Sequence, residues 1–346
     1  MTATTAKTDT TAKATDLSAE ADSTVNAEET VSAGQGDTAL VIGATGFLGG
    51  HLLTELRARG YAVRVYARQG HSERLGVGPN SWLTGELSDT ASLEQACRGA
   101  QVVFHLANLA HAGASQRVAL RQVNIEGTAE VCAACLQAGV PRLVYVSSSL
   151  ASDPAGSAYA ASKREAERAV LAAGEQSGGA LHVTVLRPVN VYGSGMKGNI
   201  AGLIRRIGRR QLPPLPRLTN RIALISAGDV CRAALAAARG SQDSGSIYTL
   251  TDGQSYTPNR IEAAVYRALD RKKPDWHTPR VIFYAAAVLA QMAGALRMVN
   301  NDLGLRTYRN LVRDQGSIGT GAVPEIKFTP GQTLESEIEE TVRSLL

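Results

Sequence analysis

The chain is poor in the residues that mark secreted and membrane-spanning proteins. It has four cysteines among 346 residues, too few for a disulfide scaffold, and this fits a reducing compartment. Its first 37 residues contain no aromatic side chain and no apolar core of a signal peptide, and their acidic residues argue against a transit peptide. We therefore expect a disordered tail, residues 1–37, on a cytoplasmic protein.

Long hydrophobic runs are scarce as well. Residues 281–296 are apolar, but the run is shorter than the roughly 20 residues that a membrane span needs, and it contains Gln291. We expect a buried helix, or a surface on which two copies form a homodimer, rather than a membrane contact. Cys132 and Cys135 lie near one face of a predicted helix and no second ligand pair follows them, so core packing is favoured over metal binding.

The positive charge is modest. The net charge is +5 and the isoelectric point about 9.1. The densest cluster, residues 205–210, is predicted to be a solvated helix face or a rim that attracts a phosphorylated substrate. We favour this interpretation over nucleic acid or an anionic membrane surface, which such clusters also suggest.

Short apolar runs alternate with helical patterns from Thr38 onward. This alternation predicts an α/β fold with a doubly wound parallel sheet, whose ligands bind beyond the carboxyl ends of the strands. The sheet and its cofactor would occupy residues 38–187, with the sheet completed by about 222–252. A smaller, mostly helical C-terminal substrate lobe would comprise 188–221 and 253–346. The predicted strands are 38–42, 62–66, 81–84, 101–106, 142–147, 181–187 and 246–251, and the predicted helices are 47–59, 90–98, 117–138, 158–176, 197–209 and 227–239.

A glycine-rich turn joins the first strand to the first helix. Gly43, Gly46 and Gly49 follow the apolar run 39–42 at spacings of three residues. The first glycine allows a tight turn, the second lets the backbone approach a pyrophosphate, and the third lets helix and strand pack closely. The free N–H groups of the helix N-terminus would then face the phosphates. The pattern predicts a dinucleotide-binding βαβ unit.

The end of the second strand predicts which dinucleotide is bound. Enzymes that use NAD place Asp or Glu there to accept from the ribose hydroxyls, whereas this chain has Ala67 followed by Arg68. A guanidinium matches the oxygens of a 2′-phosphate, so NADP is favoured over NAD. The simpler alternative is that Arg68 is a surface arginine.

A serine run and a Tyr-x-x-x-Lys sequence indicate proton-transfer chemistry. Ser147–Ser149 end the fifth strand, and Tyr159 and Lys163 share one helix face ten residues later. A phenol titrates near 10, and a neighbouring ammonium lowers that pKa. A serine hydroxyl could hold the substrate oxygen while Tyr159 gives or takes its proton.

Together these motifs resemble the extended short-chain dehydrogenase/reductase superfamily, in its NAD(P)-dependent epimerase/dehydratase family. The resemblance covers about residues 38–345, and it also rests on 103–107, 123–128 and 186–193. It implies a Rossmann-type fold and hydride transfer between nicotinamide and a carbinol or ketone carbon. Tyr159 would be the acid/base, Lys163 would bind the nicotinamide ribose and lower the tyrosine pKa, and Ser149, with Ser148 as the second choice, would be the catalytic serine. The implied cofactor contacts are Gly43, Thr45, Gly46, Phe47, Leu48, Gly49, Arg68, Glu86, Leu87, Leu106, Ala107, Asn124, Tyr159, Lys163 and Pro188.

Two departures limit the resemblance. The segment between Ser149 and Tyr159 is short and lacks the usual Tyr-Gly, which leaves the roof of the pocket undefined. Leu150 and Ala151 replace the Asp-Glu pair of the sugar 4,6-dehydratases, so dehydration is not expected. Two other side chains keep simpler alternatives: His105 as a core histidine with no chemical role, and Asn124 as a structural amide rather than a cofactor neighbour.

The substrate residues are predicted from nucleotide-sugar relatives. Asn190 and Arg221 match residues that contact the substrate diphosphate, and Lys197 and Asn199 would face it too; a turn former and a surface ion pair are the alternatives for Asn190 and Arg221. With Ser149, the predicted substrate contacts are Asn190, Asn199 and Arg221. The resemblance implies hydride transfer at a ring carbon of a nucleotide-diphosphate sugar, as net reduction or epimerisation. NADPH-dependent reduction of a hydrophobic ketone and a non-catalytic nucleotide-binding role remain open.

Overall fold

The computed structural model describes residues 36–68, 75, 78, 81–110, 116–154, 156–295, 305–314 and 321–346. Its strands, in chain order, are β1 (Thr38–Ile42), β2 (Ala62–Ala67), β3 (Trp82–Thr84), β4 (Val102–His105), β5 (Arg142–Val146), β6 (His182–Pro188), β7 (Asn190–Tyr192), β8 (Ile222–Ser226), β9 (Ser246–Leu250) and β10 (Ser255–Tyr256). Apart from Gly36 and Asp37, the predicted tail lies outside the described residues.

Across the described residues, seven parallel strands form the central sheet in the order β3-β2-β1-β4-β5-β6-β9. The central strand β1 is covered on both faces, and Ala39, Leu40 and Val41 are fully buried. A run of apolar residues without polar alternation is what a strand buried on both faces requires. The prediction of a doubly wound parallel sheet is confirmed.

The helices, in chain order, complete the fold. They are α1 (Phe47–Ala58), α2 (Thr90–Cys97), α3 (Arg117–Leu120), α4 (Gly127–Gln137), α5 (Ala158–Gln176), α6 (Asn199–Gly208), α7 (Ala227–Arg239), α8 (Pro258–Ala268), α9 (Arg280–Ala295), α10 (Leu305–Val312) and α11 (Leu334–Leu345). Helices α1 and α7 pack together on one face of the central sheet, while α2, α4 and α5 pack on the other. All four cysteines are free thiols inside this packing.

One predicted helix is interrupted by a wider turn. Between α3 and α4 the backbone forms a π-helical turn, Arg121–Glu126, where the sequence predicts uninterrupted helix over 117–138. Gly127 follows it, and a Cβ atom there would lie 2.8 Å from the Leu87 side chain. The close approach of Leu87 therefore requires glycine at the start of α4.

A second, smaller sheet of three strands lies outside the central sheet. Strand β8 pairs in parallel with β7 and antiparallel with β10. The segment 222–252 thus contributes one strand to each sheet: β9 completes the central sheet, as expected, whereas β8 belongs to the small one. Helices α6, α8 and α11 enclose a separate apolar core with Tyr192, Leu224 and Tyr256 at its centre.

Helix α9 is largely exposed. Val281, Leu289 and Met292 are 79%, 66% and 58% exposed. The expectation of a helix over this run is correct. Of its two predicted roles, a buried helix does not hold, because α9 packs through only a narrow stripe that includes Ala287, and a contact surface between two copies stays a prediction. None of the described helices is both long and apolar enough to cross a membrane.

Candidate active site

A cleft of about 2730 Å³ opens along the carboxyl ends of the central strands. Its floor includes the residues that end β1, β2, β5 and β6, and its far wall comes from α6, α9 and α10. Ligand pockets usually measure about 300–1,000 Å³, so the space is sufficient for a dinucleotide and a second molecule. The cleft therefore lies beyond the carboxyl ends of the strands, which is where parallel sheets bind their ligands.

The glycine turn is shaped by close contacts at its first and third positions. Gly43 has φ of +97°, and a Cβ atom on it would lie 2.4 Å from the backbone N of Ala107. A Cβ atom on Gly49 would lie 2.3 Å from the carbonyl oxygen of Gly43. At Gly46 the nearest atom would be 3.2 Å away, so this position leaves room for a ligand to approach the backbone.

Helix α1 begins directly at this turn. Its N-cap, Gly46, has no side chain to accept from the first backbone N–H groups. Those donors face the cleft, with Phe47, Leu48 and Gly49 among the lining residues. Unsatisfied N–H groups and the positive end of the helix dipole suit a pyrophosphate, so the geometry fits a dinucleotide.

The end of the cleft near β2 and β3 suits an adenosine. Arg68, Glu86 and Leu87 line it, as the sequence predicted. Tyr66, which sequence reasoning missed, closes the floor: its hydroxyl donates to the Glu86 carbonyl at 2.8 Å. Burial raises the pKa of Tyr66 to about 12, which keeps the hydroxyl protonated as a donor. Gly85 is the residue in the sequence that points to this position, because a Cβ atom added there would lie 2.1 Å from the Tyr66 hydroxyl.

The remaining predicted cofactor contacts divide into two groups. Lys163 and Asn124 are fully buried and do not line the cleft. The others line it: Gly43, Thr45, Gly46, Leu106, Ala107, Tyr159 and Pro188.

Tyr159 meets Ser148 in the middle of the cleft. Ser148 is the serine that interacts with the phenol of Tyr159. Burial raises the pKa of this tyrosine to about 12, and the hydrogen bond from Ser148 opposes that rise. Ser149 also lines the cleft, but it opens a 3₁₀ turn, and its carbonyl accepts from Ser152 Oγ at 2.6 Å. The serine that interacts with Tyr159 is therefore Ser148, whereas the family resemblance favours Ser149 as the catalytic serine.

Lys163 points away from the cleft. Its Nζ donates to Tyr145 Oη and to the Val146 carbonyl, both at 2.9 Å. Burial lowers the pKa of Lys163 to about 7, against an opposing effect of the Glu167 carboxylate. The sequence predicts that this ammonium lowers the Tyr159 pKa, but here burial dominates and raises that pKa.

Glu167 anchors a buried polar network that sequence reasoning missed. It accepts from Ser147 Oγ and from two nitrogens of Arg187, Nε at 2.9 Å and Nη2 at 2.6 Å. Only 2% of its side chain is exposed. The signal was present in the sequence, because Glu167 lies one helical turn after Lys163 on the same face.

Asn124 is a structural amide. Its Oδ1 accepts from Leu109 N at 2.7 Å, and its Nδ2 donates to the Leu109 carbonyl at 3.2 Å and to Ser162 Oγ at 3.0 Å. It therefore fixes the chain after β4 against α5, the helix that carries Tyr159. These contacts support a structural role for Asn124 rather than a contact with the cofactor.

The substrate side of the cleft differs from the prediction at Arg221. Asn190, Lys197 and Asn199 line the cleft, although the Asn190 amide also donates to the Ala223 carbonyl at 3.0 Å. Arg221 is exposed and does not line it; its backbone N donates to Asp314 Oδ1 at 3.1 Å. Arg205 and Arg206, from the cluster for which the sequence suggests a rim that attracts a phosphorylated substrate, line the cleft, and so does Arg313, which the sequence analysis did not single out.

Arg313 also closes the roof that the sequence left undefined. Its Nη2 lies 2.8 Å from Asp153 Oδ2, and Asp153 belongs to the short segment between Ser149 and Tyr159. Both residues line the cleft. This ion pair joins the end of α10 to the segment beside Tyr159.

Comparison with known proteins places this geometry in a family. The model of the NAD dependent epimerase/dehydratase family matches residues 39–250. A UDP-glucose 4-epimerase of Vibrio cholerae is 24% identical over 89% of this chain and 95% of its own length. A ceramide reductase of Caulobacter vibrioides is 34% identical over 55% of this chain and 57% of its own length.

Solved structures show the same fold. MoeE5 in complex with UDP-glucose and NAD superimposes with a TM-score of 0.63 at 23% identity, over 89% of this chain and 98% of the other. The family model spans more than half of the chain, and the epimerase and reductase relatives support an NAD(P)-dependent enzyme. The chain belongs to the NAD dependent epimerase/dehydratase family.

Proposed function

We propose that the protein is an NADPH-dependent ketoreductase that acts on a ring carbon of a nucleotide-diphosphate sugar. NADPH held at the glycine turn would supply a hydride to the carbonyl carbon. Tyr159 would give its proton to the carbonyl oxygen, which yields a secondary alcohol and NADP⁺, and the resulting phenolate would regain a proton from water.

The observation that carries the proposal is the continuity of the cleft. One space connects the glycine turn at Gly46, the Ser148–Tyr159 pair and the N-terminus of α6. A dinucleotide on the glycine turn would extend toward Tyr159, and a second ligand would extend from Tyr159 toward α6. Two ligands that meet at an acid/base residue are what hydride transfer requires.

The start of α6 suits a diphosphate. Its N-cap, Gly198, has φ of +95° and no side chain, and the neighbouring Lys197 and Asn199 line the cleft. Backbone N–H groups at a helix N-terminus, beside a lysine, favour an anion. Arg205 and Arg206, one to two turns along the same helix, add positive charge to the wall. The UDP-glucose bound in MoeE5 and the epimerase of Vibrio cholerae support a nucleotide sugar as the ligand.

Arg68 favours net reduction over epimerisation. It stands at the end of β2 and lines the cleft where NAD-binding sites carry a carboxylate. A 2′-phosphate would pair with its guanidinium. Net reduction consumes one reduced cofactor in each turnover, which fits an exchangeable NADPH, whereas an epimerase returns the hydride to the same substrate.

Ser148, Tyr159 and Lys163 have separate tasks in this proposal. Ser148 lines the cleft beside Tyr159, so its hydroxyl would hold a carbonyl oxygen that accepts the proton of Tyr159. Tyr159, with its pKa raised to about 12, stays protonated at neutral pH and acts as a proton donor. Lys163 positions the end of β5, where the serines lie, through its bond to the Val146 carbonyl.

Turnover of UDP-4-keto sugars, followed by NADPH oxidation, tests the proposal. Tyr159→Phe should lower kcat by roughly 10²–10⁴-fold with little change in NADPH affinity, because only the proton donor is lost. Ser148→Ala and Ser149→Ala form a matched pair: the first should lower kcat by about 10²-fold and the second by less than about threefold. Conversion of UDP-glucose to its C4 epimer without net NADPH oxidation would contradict net reduction. Full activity of Tyr159→Phe would contradict the proposed role of Tyr159 as the proton donor.

A second candidate is reduction of a hydrophobic ketone. The ceramide reductase of Caulobacter vibrioides shares 34% identity with this chain, and the outer walls of the cleft are mainly apolar. These walls include Leu203, Leu212, Leu215, Ile261, Phe283 and Leu311. NADPH oxidation with a 3-ketosphingoid or steroid ketone, and none with UDP-4-keto sugars, would replace the first proposal with this one.

A further inference from the structure

We propose that helix α9, together with two basic segments beside it, docks the protein on an anionic membrane surface. The basic segments are residues 205–217 and 270–280. This inference does not depend on which substrate the cleft binds.

Apart from Arg280 and Gln291, the exposed residues of α9 whose side chains are described are apolar or aromatic. Val281, Ile282 and Tyr284 are 79%, 59% and 47% exposed near its start, and Leu289 and Met292 are 66% and 58% exposed further along. Trp276, four residues before the helix, is 57% exposed. No charged side chain occurs from Val281 to Ala295. Large apolar side chains grouped in this way mark an interaction surface, whereas scattered ones do not.

The dimensions of α9 suit a helix that lies on a bilayer. It has 16 residues, a length of about 24 Å at 1.5 Å per residue, and it attaches to the lobe through a stripe that includes Phe283 and the buried Ala287. A helix held along one side in this way can insert its other side into the headgroup region without crossing the hydrocarbon core.

The positive charge of the protein is concentrated beside α9. The two basic segments contain nine Arg or Lys residues and two Asp residues, a net charge of +7, whereas the whole chain carries +5. Two of the nine, Arg205 and Arg206, line the cleft, and Lys273 pairs with Glu262 at 2.9 Å, so the other six supply the charge of this surface. The rest of the chain is therefore slightly acidic. Arg209, Arg210, Arg217, Lys272 and Arg280 are exposed. Each Lys or Arg near an anionic leaflet adds to the attraction.

Hydrogen bonds join the two basic segments to each other, and those of Arg280 reach the start of α9. Arg280, the first residue of the helix, donates to the Arg217 carbonyl at 3.1 and 2.7 Å. Thr278 donates to the Pro214 carbonyl at 2.6 Å, and Arg271 donates to the Gly208 carbonyl at 2.9 Å. The basic charge and the apolar helix thus belong to one fixed surface.

The same surface borders the cleft. Ile282, Phe283, Ala286 and Gln291 of α9 line it. A membrane against the outer side of α9 would therefore lie next to the mouth of the substrate site. This placement suits an enzyme whose product is used by a membrane-bound protein, or whose substrate is itself a lipid.

Charge favours a membrane over a second copy of this chain. In a two-fold dimer the same patch faces itself, so the basic segments of both copies would be brought together. Like charges at an interface cost free energy. An anionic lipid surface instead offers opposite charge to the basic segments and hydrocarbon to α9.

Co-sedimentation of the full-length protein with lipid vesicles tests the inference, without cofactor or substrate. The protein should bind vesicles of phosphatidylcholine with 30% phosphatidylglycerol, bind pure phosphatidylcholine about tenfold or more weakly, and dissociate as salt rises. Leu289→Asp should weaken partitioning by roughly tenfold or more, because a buried leucine contributes at least about that factor. Arg209→Ala with Arg210→Ala should weaken it by roughly tenfold or more on anionic vesicles alone.

Val118→Asp is the matched control. Val118 is 70% exposed, close to the 66% of Leu289, but it lies on α3. This variant should bind vesicles like the wild type, and Leu289→Asp should keep its thermal melting temperature and its turnover of a water-soluble substrate. No binding of the wild type to anionic vesicles, or unchanged binding of Leu289→Asp, would overturn the inference. A dimer in solution that Leu289→Asp converts to a monomer, without vesicle binding, would instead identify α9 as a contact between two copies.

Discussion

At the scale of single residues, the sequence predicted a candidate catalytic motif but not the contacts that its members make. Tyr159 and one serine meet in the cleft, because the fifth strand and the following helix bring them there. Which serine faces the tyrosine depends on the 3₁₀ turn Ser149–Ser152, and that turn follows from a short connection with no strong local signal. Lys163 donates a hydrogen bond to Tyr145. Tyr145 lies within an apolar strand, and nothing in its sequence context distinguishes it from a tyrosine that only packs in the core.

The buried ammonium of Lys163 makes stability depend on pH. Its pKa is near 10.5 in the unfolded chain and about 7 in the folded protein, so between these values the unfolded chain binds more protons. The destabilising effect of burying the charge is complete below pH 7 and disappears as pH rises toward 10.5, so stability should increase with pH across this window. Lys163→Met lacks the group. Its unfolding free energy, measured in urea from pH 7 to 9.5, should rise with pH by a few kcal/mol less than that of the wild type.

Glu167→Gln provides the control for that measurement. The Glu167 carboxylate raises the Lys163 pKa, so its removal should move the rise in stability to lower pH. It also leaves Arg187 without its bidentate partner, so overall stability should fall. If Lys163→Met and the wild type gave parallel curves over this pH range, Lys163 would not have the lowered pKa.

At the scale of elements, the sequence predicted the central strands and most helices because each has a strong apolar pattern. The small sheet was not predicted as such. Its strands β7 and β10 have three and two residues, too short to produce a period, and β8 looks like any buried strand. Strand pattern does not determine which sheet a strand joins. The exposure of α9 was also not predictable, since an apolar composition is usual for a buried helix.

The turn between β1 and α1 gives a prediction with an internal control. Gly49→Ala places a Cβ atom 2.3 Å from a backbone oxygen, so helix and strand must separate. We expect a loss of roughly 2 kcal/mol or more of unfolding free energy and a large loss of NADPH affinity. Gly50→Ala, one position later in the same helix, meets no atom within 4 Å and should stabilise by about 0.5–1 kcal/mol. Urea unfolding and cofactor titration measure both. Equal effects of the two substitutions would contradict the proposed role of Gly49.

At the scale of the whole molecule, the cleft depends on residues that are far apart in the chain. The Arg313–Asp153 ion pair spans 160 positions, and Asp229 of α7 accepts from the backbone N of Gly331 at 3.0 Å and of Gln332 at 3.1 Å. These links fix the substrate lobe over the strand ends. Local sequence patterns do not contain such long-range pairings. The sequence alone therefore could not show that Arg313 lines the cleft and that Arg221 does not.

Cofactor preference can be measured as a stabilisation of the whole protein. A ligand at a hundredfold its dissociation constant adds about 2.7 kcal/mol to the unfolding free energy, so each cofactor raises the melting temperature according to its affinity. At equal concentration NADPH should raise it more than NADH. Arg68→Ala should reduce the NADPH shift toward the NADH shift and leave the NADH shift nearly unchanged, because only the contact with the 2′-phosphate is lost. Arg98, an exposed arginine that does not line the cleft, supplies the control Arg98→Ala, which should alter neither shift. A larger shift with NADH in the wild type would reverse the assignment, and the absence of net NADPH use would then favour epimerisation.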